Sequence, residues 1–216
     1  MSGSAGSGGP LYVIGGAEDK LKRRTVLRHF VQSCGPDATI AVVPTASSLG
    51  DEIIEIYRAL FERLGAARVV GLRPESRAEA NDPALAAQLD AVSGVFMTGG
   101  NQLKLSAVIN ATLFGSAIVS AHERGATVGG TSAGASIQSS HMVAFGIGGS
   151  TPKQRMTQLA SGLGLVRNCV IDQQFRSAQG SLRSPSGSQR MSSATAGTVS
   201  PSWSSRPTQI RVVGWA

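Results

Sequence analysis

Five short apolar runs, each followed by a stretch with helical spacing, constrain this chain more than any other feature. They are Leu11–Ile14, Thr39–Val43, Arg68–Leu72, Gly94–Thr98 and Ala126–Gly129. Helices are expected at Glu18–Ser33, Asp51–Leu64, Pro83–Val92, Leu103–Glu123 (continuous or broken) and from Ala135 onward. Strands without polar alternation are buried on both faces, and strands that alternate with helices build a parallel sheet. The expected fold class is therefore α/β: a doubly wound, mostly parallel sheet with helices on both faces. A chain of 216 residues with 41% hydrophobic content is long enough to bury one such core.

Several function classes fall away on composition. No apolar run approaches the ~18 residues that a bilayer span needs. The start, Met1-Ser2-Gly3-Ser4-Ala5-Gly6-Ser7-Gly8-Gly9, is small and polar and lacks the basic and apolar regions of a secretory signal, so a cytoplasmic location is expected. Cys34 and Cys169 form neither a disulfide framework nor a CxxC site, and read as free buried thiols. The net charge of +7 suggests nucleic acid until it is divided. Residues 1–175 carry 15 Lys and Arg against 13 Asp and Glu, while residues 176–216 carry five Arg and no acid. The body has no compact basic patch interleaved with aromatics, so no nucleic-acid partner and no membrane partner is expected.

The composition changes abruptly at Phe175–Ser177. Of the 41 residues from Arg176 on, 11 are Ser, and apolar spacing nearly vanishes until Ile210–Val213. The chain divides accordingly into three segments: residues 1–9 as a flexible N-terminus, 10–175 as the α/β domain, and 176–216 as a tail expected to be largely disordered. The simultaneous switch in charge, composition and periodicity is also the expected mark of an out-of-frame translation, which would leave the domain incomplete at its C-terminus.

Ligands of doubly wound sheets gather at the carboxyl ends of the strands. Four informative loops lie after strands here: Gly15-Gly16-Ala17-Glu18, Pro44-Thr45-Ala46-Ser47, Gly99-Gly100-Asn101-Gln102 and Gly129-Gly130-Thr131-Ser132. Each glycine pair alone could be no more than a tight turn. Gly130-Thr131-Ser132-Ala133-Gly134 fits G-x-S-x-G between an expected strand and an expected helix, the context of a nucleophile elbow. The sharp turn strains the serine backbone, and the small neighbours remove the side-chain bulk that would clash. The Ala133 N–H is then aimed where an oxyanion would form, with a second donor expected from Gly99 or Gly100. The alternative is a serine that merely caps a helix beside small packing residues.

Gly129-Gly130-Thr131-Ser132-Ala133-Gly134-Ala135-Ser136 resembles the nucleophile segment of the cyanophycinase family, dipeptidase E-like serine peptidases with a class I glutamine-amidotransferase-like fold. The resemblance extends through Leu11–Lys20, Ile40–Ser48, Phe96–Leu103, Ser150-Thr151-Pro152 and Ile171-Asp172-Gln173, and covers roughly residues 10–175. It implies a serine-type exopeptidase that hydrolyses cyanophycin, an aspartate polymer bearing arginine on each β-carboxyl, to β-aspartyl-arginine dipeptides. It implies acyl transfer through an ester on Ser132, with no metal and no organic cofactor. Gln102, Asp172 and Gln173 match family positions that line the substrate pocket, where a carboxylate suits a cationic substrate. Asp172 could instead be only a turn residue at a strand end. The fold commonly dimerises, so a homodimer is a further expectation.

The pattern breaks in two places. The family's segment ends Asp-Gln-His-Phe, with the histidine as general base, whereas Asp172-Gln173-Gln174-Phe175 has Gln174 there. A carboxamide has no titratable lone pair near neutral pH and cannot take the serine's proton. The orienting acid falls near Gly149–Ser150, where Ser150 offers a hydrogen bond but no charge. The remaining histidines are His29, His122 and His141. A continuous helix from the elbow would carry His141 about 13 Å away from Ser132, and none of the three is an evident substitute. Two alternatives to the leading reading stay open: a related aspartyl dipeptidase or amidase, and a catalytically dead module that retains the pocket.

Overall fold

The computed structural model describes residues 8–15, 24–146, 157–171, 197–199 and 210–213. Strands β1 (Leu11–Ile14), β2 (Thr39–Val43), β3 (Arg68–Gly71), β4 (Gly94–Met97) and β5 (Thr127–Thr131) fall on the five apolar runs. They pair in parallel in the order β3-β2-β4-β5-β1. Helices α1 (Thr25–Ser33) and α2 (Asp51–Arg63) are amphipathic. The helices α3 (Arg77–Ala80) and α4 (Pro83–Ala87) are short and capped by Ser76 and Asp82, whose side chains accept backbone N–H bonds. The long helical stretch expected before β5 is two helices, α5 (Gln102–Ile109) and α6 (Leu113–Glu123), bent by 91° at Asn110–Thr112. Ala111 takes a left-handed backbone there, and the Thr112 side chain caps α6. No single helix among the described residues is long and apolar enough to cross a membrane.

Successive residues of β1 serve opposite faces of the sheet, as the strand's two-residue period requires. Leu11 and Val13 join a core with α5 and α6, while Tyr12 and Ile14 join one with α1 and α2. The second core centres on Phe30, Phe61, Phe96 and Tyr57, whose ring centroids lie 4.9–5.6 Å apart. Cys34 closes its edge as a free, buried thiol. Burial pushes its pKa up to about 12, partly offset by Thr127, so it carries no reactive thiolate.

Beyond β5 the structure departs from expectation. The helix from the elbow, α7 (Ala133–Ser136), has only four residues, and the chain turns into β6 (Ser139–Gly146). Part of the reason is local. The Ser139 hydroxyl donates to the Ser136 carbonyl at 2.7 Å, closing the last turn, and Met142-Val143-Ala144-Phe145 favours extended backbone. His141 is therefore an exposed residue of a strand, not the ninth step of a helix. β6 pairs antiparallel with β7 (Thr157–Ser161) and parallel with β8 (Val166–Val170) in a second, three-stranded sheet. Cys169 lies on β8.

Two pieces of the Ser- and Arg-rich tail are also strands: β9 (Gly197–Val199) and β10 (Ile210–Val213). β10 runs parallel to β1, Leu11 facing Ile210, and β9 pairs antiparallel with β10, extending the sheet to seven strands. Ile210-Arg211-Val212-Val213 is the tail's segment richest in β-branched residues, which is why it can add to a sheet edge. At the other terminus, Gly8 and Gly9 are not free. The Gly9 N–H donates to the His122 carbonyl at 2.8 Å, and a side chain on Gly8 would strike the His122 ring.

His122 is buried, and among the described residues its Nδ1 has no hydrogen-bond partner. Burial lowers its pKa below the ordinary 6.5, against smaller upward pulls from Glu123 and the Ala126 backbone. The unfolded chain then takes up the proton first, so stability falls as pH drops through 6.5 toward the folded value. Melting temperature should decline over that window, and His122→Gln should flatten the decline. Equal slopes for the two proteins contradict this.

Candidate active site

The carboxyl ends of β2, β4, β5 and β1 lie side by side, so the loops after them share one rim. Hydrogen bonds tie these loops to one another. The Asn101 N–H donates to Ala46 O at 2.7 Å and the Thr98 N–H to Val43 O at 3.0 Å, joining the β4 loop to the β2 loop. The Ser132 N–H donates to Ile14 O at 2.9 Å, joining the end of β5 to the end of β1. The buried Thr45 hydroxyl donates to Pro74 O at 3.0 Å, anchoring the β2 loop to the segment after β3.

Ser132 stands at the centre of this rim, half-buried, with φ 52° and ψ −112°. That conformation costs a non-glycine residue on the order of 1–3 kcal/mol and persists only where the surroundings enforce it. Two glycines enforce it by close approach. A Cβ on Gly130 would collide with Gly134 O, and one on Gly134 with Met97 O. The first turn of α7 therefore lies directly on β4 and β5. Gly134→Ala should lower the unfolding free energy by about 3 kcal/mol, because the clash is with backbone and cannot be relieved by a rotamer. A denaturation midpoint equal to the parent's would contradict that packing.

Gly99 is the other neighbour of the serine. A Cβ there would sit 3.2 Å from Ser132 Cβ and 3.8 Å from its Oγ. Gly100, φ 139°, packs against the Ala46–Ser47 backbone. Of the expected oxyanion residues, Ala133 follows the serine as the first residue of α7, Gly99 packs against it, and Gly100 is the next residue on the β4 loop. Gln102, half-buried, opens α5 on the same rim, and Asn101 caps that helix through its side chain. Asp172, Gln173 and Gln174, together with Ser150 and Gly16–Lys20, lie outside the described residues. The chain reaches Ile171 beside the elbow, where the buried Ser136 hydroxyl donates to Ile171 O at 3.0 Å.

Of the three histidines, His122 is set apart by topology. His122 lies in the last turn of α6, near the start of β5, a strand length of about 16 Å from the end that carries Ser132. His29 is half-buried on α1, its carbonyl accepting from the Tyr12 hydroxyl at 2.9 Å. His141 is exposed on β6, opposite Ser161 and Val170.

Sequence reasoning missed Ser136 and Gln138. Both are buried polar residues one turn beyond Ser132 and Gly134, and each anchors the elbow helix. The four-residue spacing was visible, but a continuous helix would have sent both side chains elsewhere in the fold.

A strained serine at a strand–turn–helix, on the rim of a doubly wound parallel sheet, is the architecture of an α/β serine peptidase. The comparisons with known proteins narrow this: the profile of peptidase family S51 matches residues 11–200, and the chain belongs to that family. A cyanophycinase of Trichormus variabilis is 40% identical over 166 residues, covering 76% of this chain and 55% of the relative. One from Synechococcus elongatus is 37% identical over 173 residues, covering 79% of this chain and 54% of the relative. The chain thus spans little more than half the length of these curated relatives. The crystal structure of a peptidase from an acI-B1 Actinobacterium superposes with a TM-score of 0.61 at 21% identity, covering 77% of this chain and 68% of that one, which shows the shared fold.

Proposed function

We propose that the chain is a cyanophycinase-type serine peptidase by descent, acting on an aspartate polymer with arginine on its side chains, or on the aspartyl-arginine peptides it yields. The observation that carries the reading is Ser132, held at positive φ on the rim with Gly99 against it. In this reaction Ser132 Oγ attacks the α-carbonyl of an aspartyl residue in the polymer backbone, leaving the β-amide to arginine intact, and its proton passes to a base. The N–H groups of Ala133 and of Gly99 or Gly100 hold the oxyanion. The bond to the leaving group breaks as that group takes a proton, and water hydrolyses the resulting ester. Asp172 pairs with the substrate guanidinium, and Gln102 and Gln173 hold its amides. In the family's motif Gln174 falls where the base is written and Ser150 near the acid, so turnover by this chain is slow.

A second reading, a pocket that binds without turnover, is favoured by Gln174 itself. Incubation with insoluble cyanophycin separates the two. Release of aspartyl-arginine supports the peptidase, and hydrolysis only of short soluble aspartyl peptides supports a related dipeptidase. Retention on the polymer with no release supports the binding module. For residues after about 176, translation of the coding DNA in its other two frames should restore an acid-containing, periodic α/β continuation; its absence from both would refute a frame change.

A further inference from the structure

α7 is too short to hold itself. Forming a single turn is unfavourable without outside support, and this one must also carry a strained serine. Its internal bonds are few: Ala135 and Ser136 N–H donate to Ser132 O at 2.9 and 3.0 Å, and Ile137 N–H to Ala133 O at 3.1 Å. The next bond of a regular helix would run from the Gln138 N–H to Gly134 O. Instead the Gln138 N–H donates to Ala135 O at 3.2 Å.

The Gln138 side chain takes over that role. Its Nε2 donates to Gly134 O at 3.2 Å and to Tyr12 O at 3.0 Å. Pro10 O accepts from Val128 N–H and Ile14 O from Ser132 N–H, so the carbonyls of Pro10, Tyr12 and Ile14 face β5 along one edge of β1. Gln138 therefore grips that edge one register step below the bond that holds Ser132. The amide orientation is set by its partners, since a flipped amide would set Oε1 against two carbonyl oxygens. Gln138 is fully buried, and its Oε1 has no hydrogen-bond partner among the described residues. A buried amide left with an unmet acceptor is costly, and its two donor bonds both serve the elbow.

We infer that Gln138 is a positioning residue for Ser132, its carboxamide locking the first turn of α7 to β1 so that the serine and the Ala133 N–H keep their aim. The inference rests on Ser132 being the nucleophile, and the test keeps the two claims separable. In Gln138→Met, amides of Ser132–Ile137 should exchange with deuterium about tenfold faster, the worth of one to two hydrogen bonds, while those of Ile40–Val43 are unchanged. Labelling by a fluorophosphonate probe should show a maximal rate about tenfold lower, with the half-saturating concentration held. Unchanged elbow exchange, or acceleration spread equally over the sheet, overturns the inference.

If Gln138→Met fails to fold, Gln138→Glu carries the test. Burial shifts its ionisation upward, and once ionised the carboxylate offers no donor to the two carbonyls, so elbow exchange is fast on the high-pH side of that ionisation. It slows once the carboxyl protonates, after correction for intrinsic chemistry; no such recovery overturns the inference. Should neither the parent nor Gln174→His take any label, the nucleophile reading fails while the exchange arm still decides the role of Gln138.

Discussion

Gln174→His should raise hydrolysis of aspartyl-arginine polymer by on the order of 10²–10⁴-fold, the usual worth of a positioned general base. Serine at its ordinary pKa is a weak nucleophile, and a carboxamide at position 174 has nothing to accept its proton. An imidazole supplies that acceptor, and the gained rate should rise with pH through about 6.5 as the ring deprotonates. The described chain favours delivery of this residue to the serine. Ile171 is bonded to Ser136, one helical turn from Ser132, and three further residues reach about 10 Å. Gln174→Asn is the control and should leave the rate unaltered. If Gln174→His matches the parent while Ser132 still takes a fluorophosphonate, the base is not supplied from this position.

In the Gln174→His background, Ser132→Ala should remove covalent labelling and lower kcat by about 10⁶, as loss of one triad member does in an unrelated serine protease. Alanine keeps the backbone strain of φ 52°, so stability should barely change. Ser132→Gly should likewise abolish labelling yet raise the unfolding free energy by about 1 kcal/mol net. Glycine is relieved of the strain but loses more chain entropy on folding. Persistent labelling in either variant, located by peptide mapping, would show that another residue is the nucleophile.

The sheet was legible because its five strands are runs of apolar, mostly β-branched residues with no competing period. β5 was placed slightly short, since Gly130 and Thr131 read as loop until Gly134 is seen packed on them. The elbow was legible because its steric demands dictate residue types locally. The stretch after α7 was not legible. Whether Ser136-Ile137-Gln138-Ser139 continues a helix is decided by Tyr12 and Ile171, partners 126 and 35 residues distant in sequence. The short helix α3 was missed for the opposite reason, since a four-residue turn has too little periodicity to register. Ile210–Val213 stood out in the tail as an apolar run, but the run alone does not name β1 as its neighbour.

The chain enters its sheet at the end remote from the serine. Gly8 and Gly9 lie against His122 and Ala126, where β5 begins, while Ser132 caps the far end of the same strand. Gly8 therefore sits at the floor of the molecule, opposite the serine. A protein tethered to a bead by that terminus turns its glycine-lined mouth outward, toward the solution.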